Sequence, residues 1–182
     1  MHIQRGPATC GPDCLGVVAE KFGITQQQVD KAYNCTDINN FKDLQDTPAN
    51  LESAMCDLNL NYRIVDANQI LNGECKNGNT IILIHSNDDP ATWWNESWGI
   101  QHWTILWRVY EGDEYTPAYI ELDFGTPDMK AKHFTHANFM KIYNQGGPTN
   151  TAYEILGILP AKVPAKWYYR LWSWLTSWLS KF

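Results

Sequence analysis

The chain has 182 residues, a hydrophobic content of 44%, an aromatic content of 13% and a net charge of −6 at pH 7. These values exclude the intrinsically disordered class, and the length suffices for one compact core. The acidic balance also argues against a nucleic-acid partner.

The cysteines do not form a pattern typical of a disulfide framework or a zinc site. They number five and lie at positions 10, 14, 35, 56 and 75. An odd number without paired CxxC spacing predicts free thiols in a reducing compartment. His133 and His136 lack a third ligand nearby in the sequence, so we interpret them as surface residues and expect no metal and no cofactor.

The segment that starts at Cys10 predicts a turn leading into a helix. Pro12 suits the first helical position and Asp13 the first turn. Apolar residues follow at helical spacing before Gly23 ends the run, and they are Leu15, Val18, Ala19 and Phe22. A thiol at such a helix N-terminus faces free backbone N–H groups and the positive end of the helix dipole, and both favour the thiolate.

Two more short helices and then a series of strands are predicted along the chain. Thr25 and Gln28 form a capping box, and Thr47-Pro48 opens the third helix. Five strand candidates, rich in Ile, Val and aromatic residues, cover 62–65, 80–85, 102–110, 117–123 and 152–159. Helices followed by strands predict an α+β fold in which N-terminal helices pack on a twisted antiparallel β-sheet.

Four polar residues on separate segments are typical of a cysteine hydrolase. Gln4 precedes Cys10 by six positions, His102 starts a predicted strand and Asp123 ends the next one. Acyl transfer by a thiol needs a nucleophile, an imidazole base, a group that orients the imidazole and donors for the oxyanion. His85 is an alternative base, but no strand-end Asp follows it in the same order.

These residues resemble the C39-like family of papain-fold cysteine peptidases. The family's first motif is Gln-x5-Cys-Gly-Pro-x-Cys/Ala-Leu, and residues 4–15 read QRGPATCGPDCL. The second places His at the start of a core strand, as in QHWTILW at 101–107. The third places Asp at a strand end, as in YIELDFG at 119–125, with Phe where Pro is usual. The resemblance runs from about residue 4 to 159, and the segment 134–139 is similar to the family's closing helix.

The resemblance implies a papain-like fold and a role for each residue of the constellation. Cys10 is the nucleophile, His102 the base, Asp123 the residue that orients it and Gln4 the oxyanion donor. The implied reaction is hydrolysis of a peptide bond through an acyl-enzyme, on a peptide or protein substrate such as a leader or precursor. Two alternatives stay open: a hydrolase of cell-wall peptides in a lytic or virion-associated role, and a catalytically silent scaffold acting as a structural or interaction protein.

A long connection, residues 86–101, precedes His102 and is rich in tryptophan. Long loops inside compact domains are often functional. Its three tryptophans, Trp93, Trp94 and Trp98, are therefore candidates for substrate binding, as is Trp103, which directly follows His102. The alternative is that these side chains only cover the sheet.

The C-terminal segment differs in charge and pattern from the domain predicted at 1–159. Residues 155–182 contain no acid and carry +4, against −10 for the rest. After a linker at 160–166, a helix at 167–182 places its large apolar residues on one face: Trp167, Leu171, Trp174, Leu175, Trp178 and Phe182. At about 24 Å the helix is too short to span a bilayer. This pattern predicts that the helix binds to a membrane surface or to a partner protein.

We predict the localisation from the N-terminal residues and from the C-terminal segment 167–182. The N-terminus shows no charged segment followed by an apolar one, so no signal peptide is predicted. We therefore expect the protein to be cytoplasmic or peripheral on a membrane surface.

Overall fold

The computed structural model describes residues 5, 9–33, 48–85, 101–123, 132–144 and 151–160. Within these residues the chain forms five helices, which are α1 (Cys10–Glu20), α2 (Gln26–Ala32), α3 (Pro48–Asp57), α4 (Ala67–Leu71) and α5 (His136–Asn144). It also forms six strands, which are β1 (Leu60–Val65), β2 (Thr80–His85), β3 (Gln101–Tyr110), β4 (Tyr119–Asp123), β5 (Lys132–Thr135) and β6 (Ala152–Ile158).

The six strands form one sheet in the order β1-β6-β2-β3-β4-β5. Every neighbouring pair is antiparallel. The last strand, β6, lies between β1 and β2, so the end of the domain is fixed in the interior of the sheet. The register shifts at Trp107 of β3, where Leu106 pairs with Leu122 and Arg108 pairs with Glu121.

Helices cover both sides of the sheet, and each side has its own apolar cluster. The first cluster packs α1, α2 and α3 on one face through residues such as Leu15, Val18, Leu51, Met55, Leu83, Trp103 and Tyr153. The second packs α4 and α5 on the other face through residues such as Ile70, Ile84, Leu122, Phe134 and Phe139. Residues 81–84 are all buried because successive side chains of β2 alternate between the two clusters.

The structure confirms the α+β architecture and most of the predicted elements. The capping box of Thr25 and Gln28 is present at the start of α2, and α3 starts at Pro48. Strand β2 has the predicted bounds, and the other four predicted strands agree with the observed ones to within two residues at each end.

Three features differ from the sequence prediction. Helix α4 and strand β5 were not predicted, because five and four residues are too short to establish a period. The segment 134–139 is only partly helical, since Phe134 lies on β5 and α5 starts at His136. Helices and strands therefore alternate after residue 60 instead of forming a helical half followed by a sheet.

Candidate active site

Cys10 is the first residue of α1 and is 7% exposed. The preceding Thr9 accepts the first helical hydrogen bond, from the Asp13 N–H to its carbonyl oxygen at 2.9 Å. Pro12 is therefore the third helical residue and not the first as predicted. It is tolerated there because the N–H groups of the first turn have no intrahelical acceptor. Cys10 thus occupies the helix end at which backbone N–H groups and the dipole favour an anion.

Helix α1 packs against the beginning of β3. The Cys14 thiol donates to the carbonyl oxygen of Trp103, with the sulfur and oxygen 3.4 Å apart. Cys14 lies one helical turn after Cys10, and Trp103 lies one residue after His102. One turn of helix rises only about 5.4 Å. The fold therefore brings the N-terminus of α1 to the end of β3 that carries His102.

His102 and Asp123 are both buried on adjacent strands, each with 2% of its surface exposed. His102 is the second residue of β3 and pairs with Ile84 of β2. Asp123 is the last residue of β4 and pairs with Ile105, three residues after His102 along β3. Cys10, His102 and Asp123 thus lie on three elements, of which α1 contacts β3 and β3 pairs with β4.

A network around Arg5 adds residues that were not predicted as part of the site. Arg5 Nε donates to Asp13 Oδ1 at 2.6 Å, and its two terminal nitrogens each donate to one oxygen of Asp30 at 2.7 Å. Burial disfavours ionisation of Asp30, but hydrogen bonds from Arg5 and Gln26 outweigh it and lower the pKa of the carboxyl group. These residues are up to 25 positions apart, and no spacing in the sequence indicates their contact.

A cavity of about 430 Å³ opens beside the far half of α1. Its walls are formed by Val17, Glu20, Lys21, Gly78, Ile105 and Trp107. Lys21 closes one side, where its ammonium group donates to the carbonyl oxygen of Gly78. The cavity lies on the face of the sheet that also carries Ile105, the residue paired with Asp123.

Trp103 does not line a surface on which a substrate could lie. It is 1% exposed and packs within the first core cluster, with its ring centroid 6.1 Å from that of Tyr153. The prediction of a substrate contact is therefore corrected for this residue. Trp103 does lie on a strand, as predicted, but α1 covers β3 at this position.

The other predicted site residues lie outside the described residues. They are Gln4, Trp93, Trp94 and Trp98, and in the C-terminal segment Trp167, Leu171, Trp174, Leu175, Trp178 and Phe182. Among the helices that the structure does describe, none combines the length and apolar character needed to cross a bilayer.

The architecture is that of a C39 peptidase domain, the class of fold predicted from the sequence. The chain is similar to the crystal structure of the peptidase domain of Streptococcus ComA, a bi-functional ABC transporter involved in a quorum sensing pathway. The TM-score is 0.54 at 15% sequence identity, and the alignment covers 86% of this chain and 96% of that domain. Neither a protein-family model nor a curated protein sequence matches the chain. The likeness confirms the predicted fold.

Proposed function

We propose that this protein is a cysteine peptidase whose nucleophile is Cys10. The observation that carries the proposal is the contact of α1 with β3, which brings a helix N-terminal thiol to the strand end that carries His102. The fold of a peptidase domain supports the same reading. A helix N-terminus and a neighbouring imidazole are the two environments that most often activate a cysteine.

The proposed reaction divides nucleophilic attack, oxyanion binding, proton transfer and orientation of the imidazole among four residues. The Cys10 thiolate attacks the carbonyl carbon of a peptide bond, and the oxyanion that forms accepts hydrogen bonds from the Cys10 N–H and the Gln4 side chain. Protonated His102 gives its proton to the leaving amine as the C–N bond breaks, which leaves a thioester on Cys10. His102 then takes a proton from water, and the resulting attack on the thioester releases the acid and the thiol. Asp123 orients the imidazole.

The test is alkylation of the full-length protein with iodoacetamide between pH 4 and 9, followed by mass spectrometry of each cysteine. We expect Cys10 of the wild type to react below pH 7 and His102→Ala to lose this reactivity. Cys56 is exposed and serves as the internal reference for a thiol outside the proposed site. Hydrolysis of a peptide library by the wild type and by Cys10→Ser then gives the bond specificity.

Two results contradict the proposal. One is a Cys10 that reacts only at the same pH as Cys56. The other is a reactivity that is equal in the wild type and His102→Ala. Either result identifies the domain as a catalytically silent scaffold of the peptidase fold.

We further propose that the segment 167–182 attaches the domain to a membrane surface. The support is its sequence, in which tryptophans and leucines share one helical face and basic residues accompany them. We expect the full chain to sediment with anionic vesicles and less with neutral ones, and Trp174→Ser/Trp178→Ser to lose about tenfold in binding. Ser177→Ala, which changes a residue outside the predicted apolar face, is the matched control. Self-association without vesicle binding supports a protein contact and contradicts the proposal.

A further inference from the structure

One buried carboxylate ties the chain before Cys10 to the helix that starts with Cys10. Asp13 Oδ2 accepts a hydrogen bond from the backbone N–H of Arg5 at 2.8 Å and another from the Thr9 hydroxyl at 2.5 Å. Asp13 Oδ1 accepts the third, from Arg5 Nε. The N–H of Arg5 belongs to the peptide group that links it to residue 4. Asp13 therefore holds this peptide group and Thr9 at the first turn of α1.

The negative charge of the Asp13 carboxylate is unfavourable for the thiolate of the proposed nucleophile, Cys10. Asp13 follows Cys10 by three residues, and side chains at this helical spacing are neighbours with Cβ atoms about 5–6 Å apart. The Asp13 side chain is only 4% exposed, so water screens its charge poorly. A negative charge at this place opposes formation of the thiolate.

Arg5 supplies the compensating charge from a fixed position. Its guanidinium group lies between Asp13 and Asp30, and the paired contacts with Asp30 hold the planar group in one orientation. Asp30 is itself held by Gln26 Nε2, which donates at 2.9 Å and also donates to the Pro12 carbonyl oxygen at 3.1 Å. The network thus reaches from α2 to the first turn of α1.

We propose that Arg5 is a positioning residue of the active site, which fixes the chain before Cys10 on α1 and neutralises the Asp13 carboxylate beside the nucleophile. The inference rests on the proposed function, because it assigns Cys10 the role of nucleophile. The titratable groups involved are Asp13 on α1, Asp30 on α2, His102 on β3 and Asp123 on β4. Of these, Arg5 donates hydrogen bonds to Asp13 and Asp30.

The experiment follows the pH midpoint of Cys10 alkylation in four full-length variants, with circular dichroism as the measure of folding. In Arg5→Gln the Asp13 charge is uncompensated, and we expect the midpoint to rise by about one pH unit. Arg5→Lys keeps the charge and a midpoint near the wild type. Arg5→Gln/Asp13→Asn removes both charges and returns the midpoint to near the wild type. Arg63→Gln is the matched control, because it removes an arginine that pairs with a buried carboxylate, Glu154, outside the Arg5 network, and it leaves the midpoint unchanged.

The proposal is overturned if Arg5→Gln has the midpoint of the wild type, or if the double variant keeps the raised midpoint of Arg5→Gln. Should Arg5→Gln fail to fold, Asp13→Asn decides, because loss of the carboxylate beside a retained Arg5 lowers the midpoint. An equal or higher midpoint in Asp13→Asn overturns the proposal. Failure of the proposed function is a separate result, because Cys10 then has the same reactivity in the wild type and in His102→Ala. The difference in midpoint between the wild type and Arg5→Gln is measurable whatever the midpoint of the wild type is.

Discussion

Cys14 is the residue on which the placement of the proposed nucleophile, Cys10, depends. It is fully buried, and its thiol donates to the Trp103 carbonyl oxygen across the contact of α1 with β3. A side chain of this size sets how closely a helix approaches a strand, because buried groups pack at crystal-like density. Cys14 therefore fixes the distance between the helix that starts with Cys10 and the strand that starts beside His102.

Cys14 can be replaced by a smaller residue but not by a larger one. We expect Cys14→Ala to cost about 1 kcal/mol of stability and to keep at least half of the Cys10 reactivity, since the helix stays in place. Cys14→Leu adds buried volume, costs about 1–3 kcal/mol and lowers the reactivity at least tenfold, because α1 is pushed away from β3. Urea unfolding and iodoacetamide kinetics measure both quantities. Equal reactivity of the two variants contradicts a spacing role for Cys14.

At the scale of elements, α1 and α2 approach each other at a glycine. A Cβ atom added to Gly16 lies 1.7 Å from Gln26 Oε1, well inside van der Waals contact. The obstacle is the end of a flexible side chain, so a larger residue is accommodated only by moving Gln26. That movement breaks its hydrogen bonds to Asp30 and to the Pro12 carbonyl oxygen.

The effect of Gly16→Ala on stability therefore depends on residue 26. In the wild-type background we expect a loss of about 1–2 kcal/mol, because two hydrogen bonds of the network outweigh the helix propensity of Ala. In a Gln26→Ala background the same substitution stabilises by about 0.5–1 kcal/mol, since the obstacle is gone. A double-mutant cycle from urea unfolding measures the coupling. Additive effects refute the packing described for this contact.

At the scale of the whole molecule, three buried groups resist deprotonation. Burial raises the pKa of the Cys75 thiol from 9.0 to about 11 and that of Tyr143 from 10.0 to about 12. Burial and the hydrogen bond to Glu52 also raise the pKa of Tyr153. Tyr143 lies on α5, Tyr153 on β6 and Cys75 in the connection between α4 and β2, and together they belong to both core clusters. Their ionisation is therefore linked to unfolding of the domain as a unit.

This linkage predicts a loss of stability in alkali. Above pH 9 the unfolded chain releases these protons first while the folded state retains them, so folding binds protons and the free energy of unfolding falls as pH rises from 9 to 12. The limit is about 1.4 kcal/mol per pH unit for each proton. Urea unfolding at pH 7, 9, 10 and 11 measures the fall.

Tyr143→Phe isolates one of the three groups. It removes the hydroxyl that donates to the Val65 carbonyl oxygen at 3.4 Å, so the variant is less stable at pH 7. Its stability then falls less steeply between pH 10 and 11, because one titrating group is gone. A slope identical to that of the wild type contradicts the assignment to Tyr143.

Most of the secondary structure was predictable, because its signals are local. Each of these signals lies within a few residues of the element that it predicts. Examples are the capping box of Thr25 and Gln28, Pro48 at the start of α3, and the runs rich in β-branched residues at 80–85 and 102–110. Helix α4 carries a comparable signal in the capping box of Asp66 and Gln69. Five residues are nevertheless too few for a helical period to appear.

The sequence by itself determined the class of fold and the candidate catalytic residues, because nucleophile, base and orienting acid need particular residue types in a particular chain order. Only the tertiary structure decided which neighbours hold them. The burial of Trp103, the insertion of β6 between β1 and β2, and the pairing of Arg5 with Asp13 and Asp30 all depend on segments far apart in the chain. Such contacts form because burial and charge pairing depend on distance in space, and the spacing of residues in the sequence does not predict that distance.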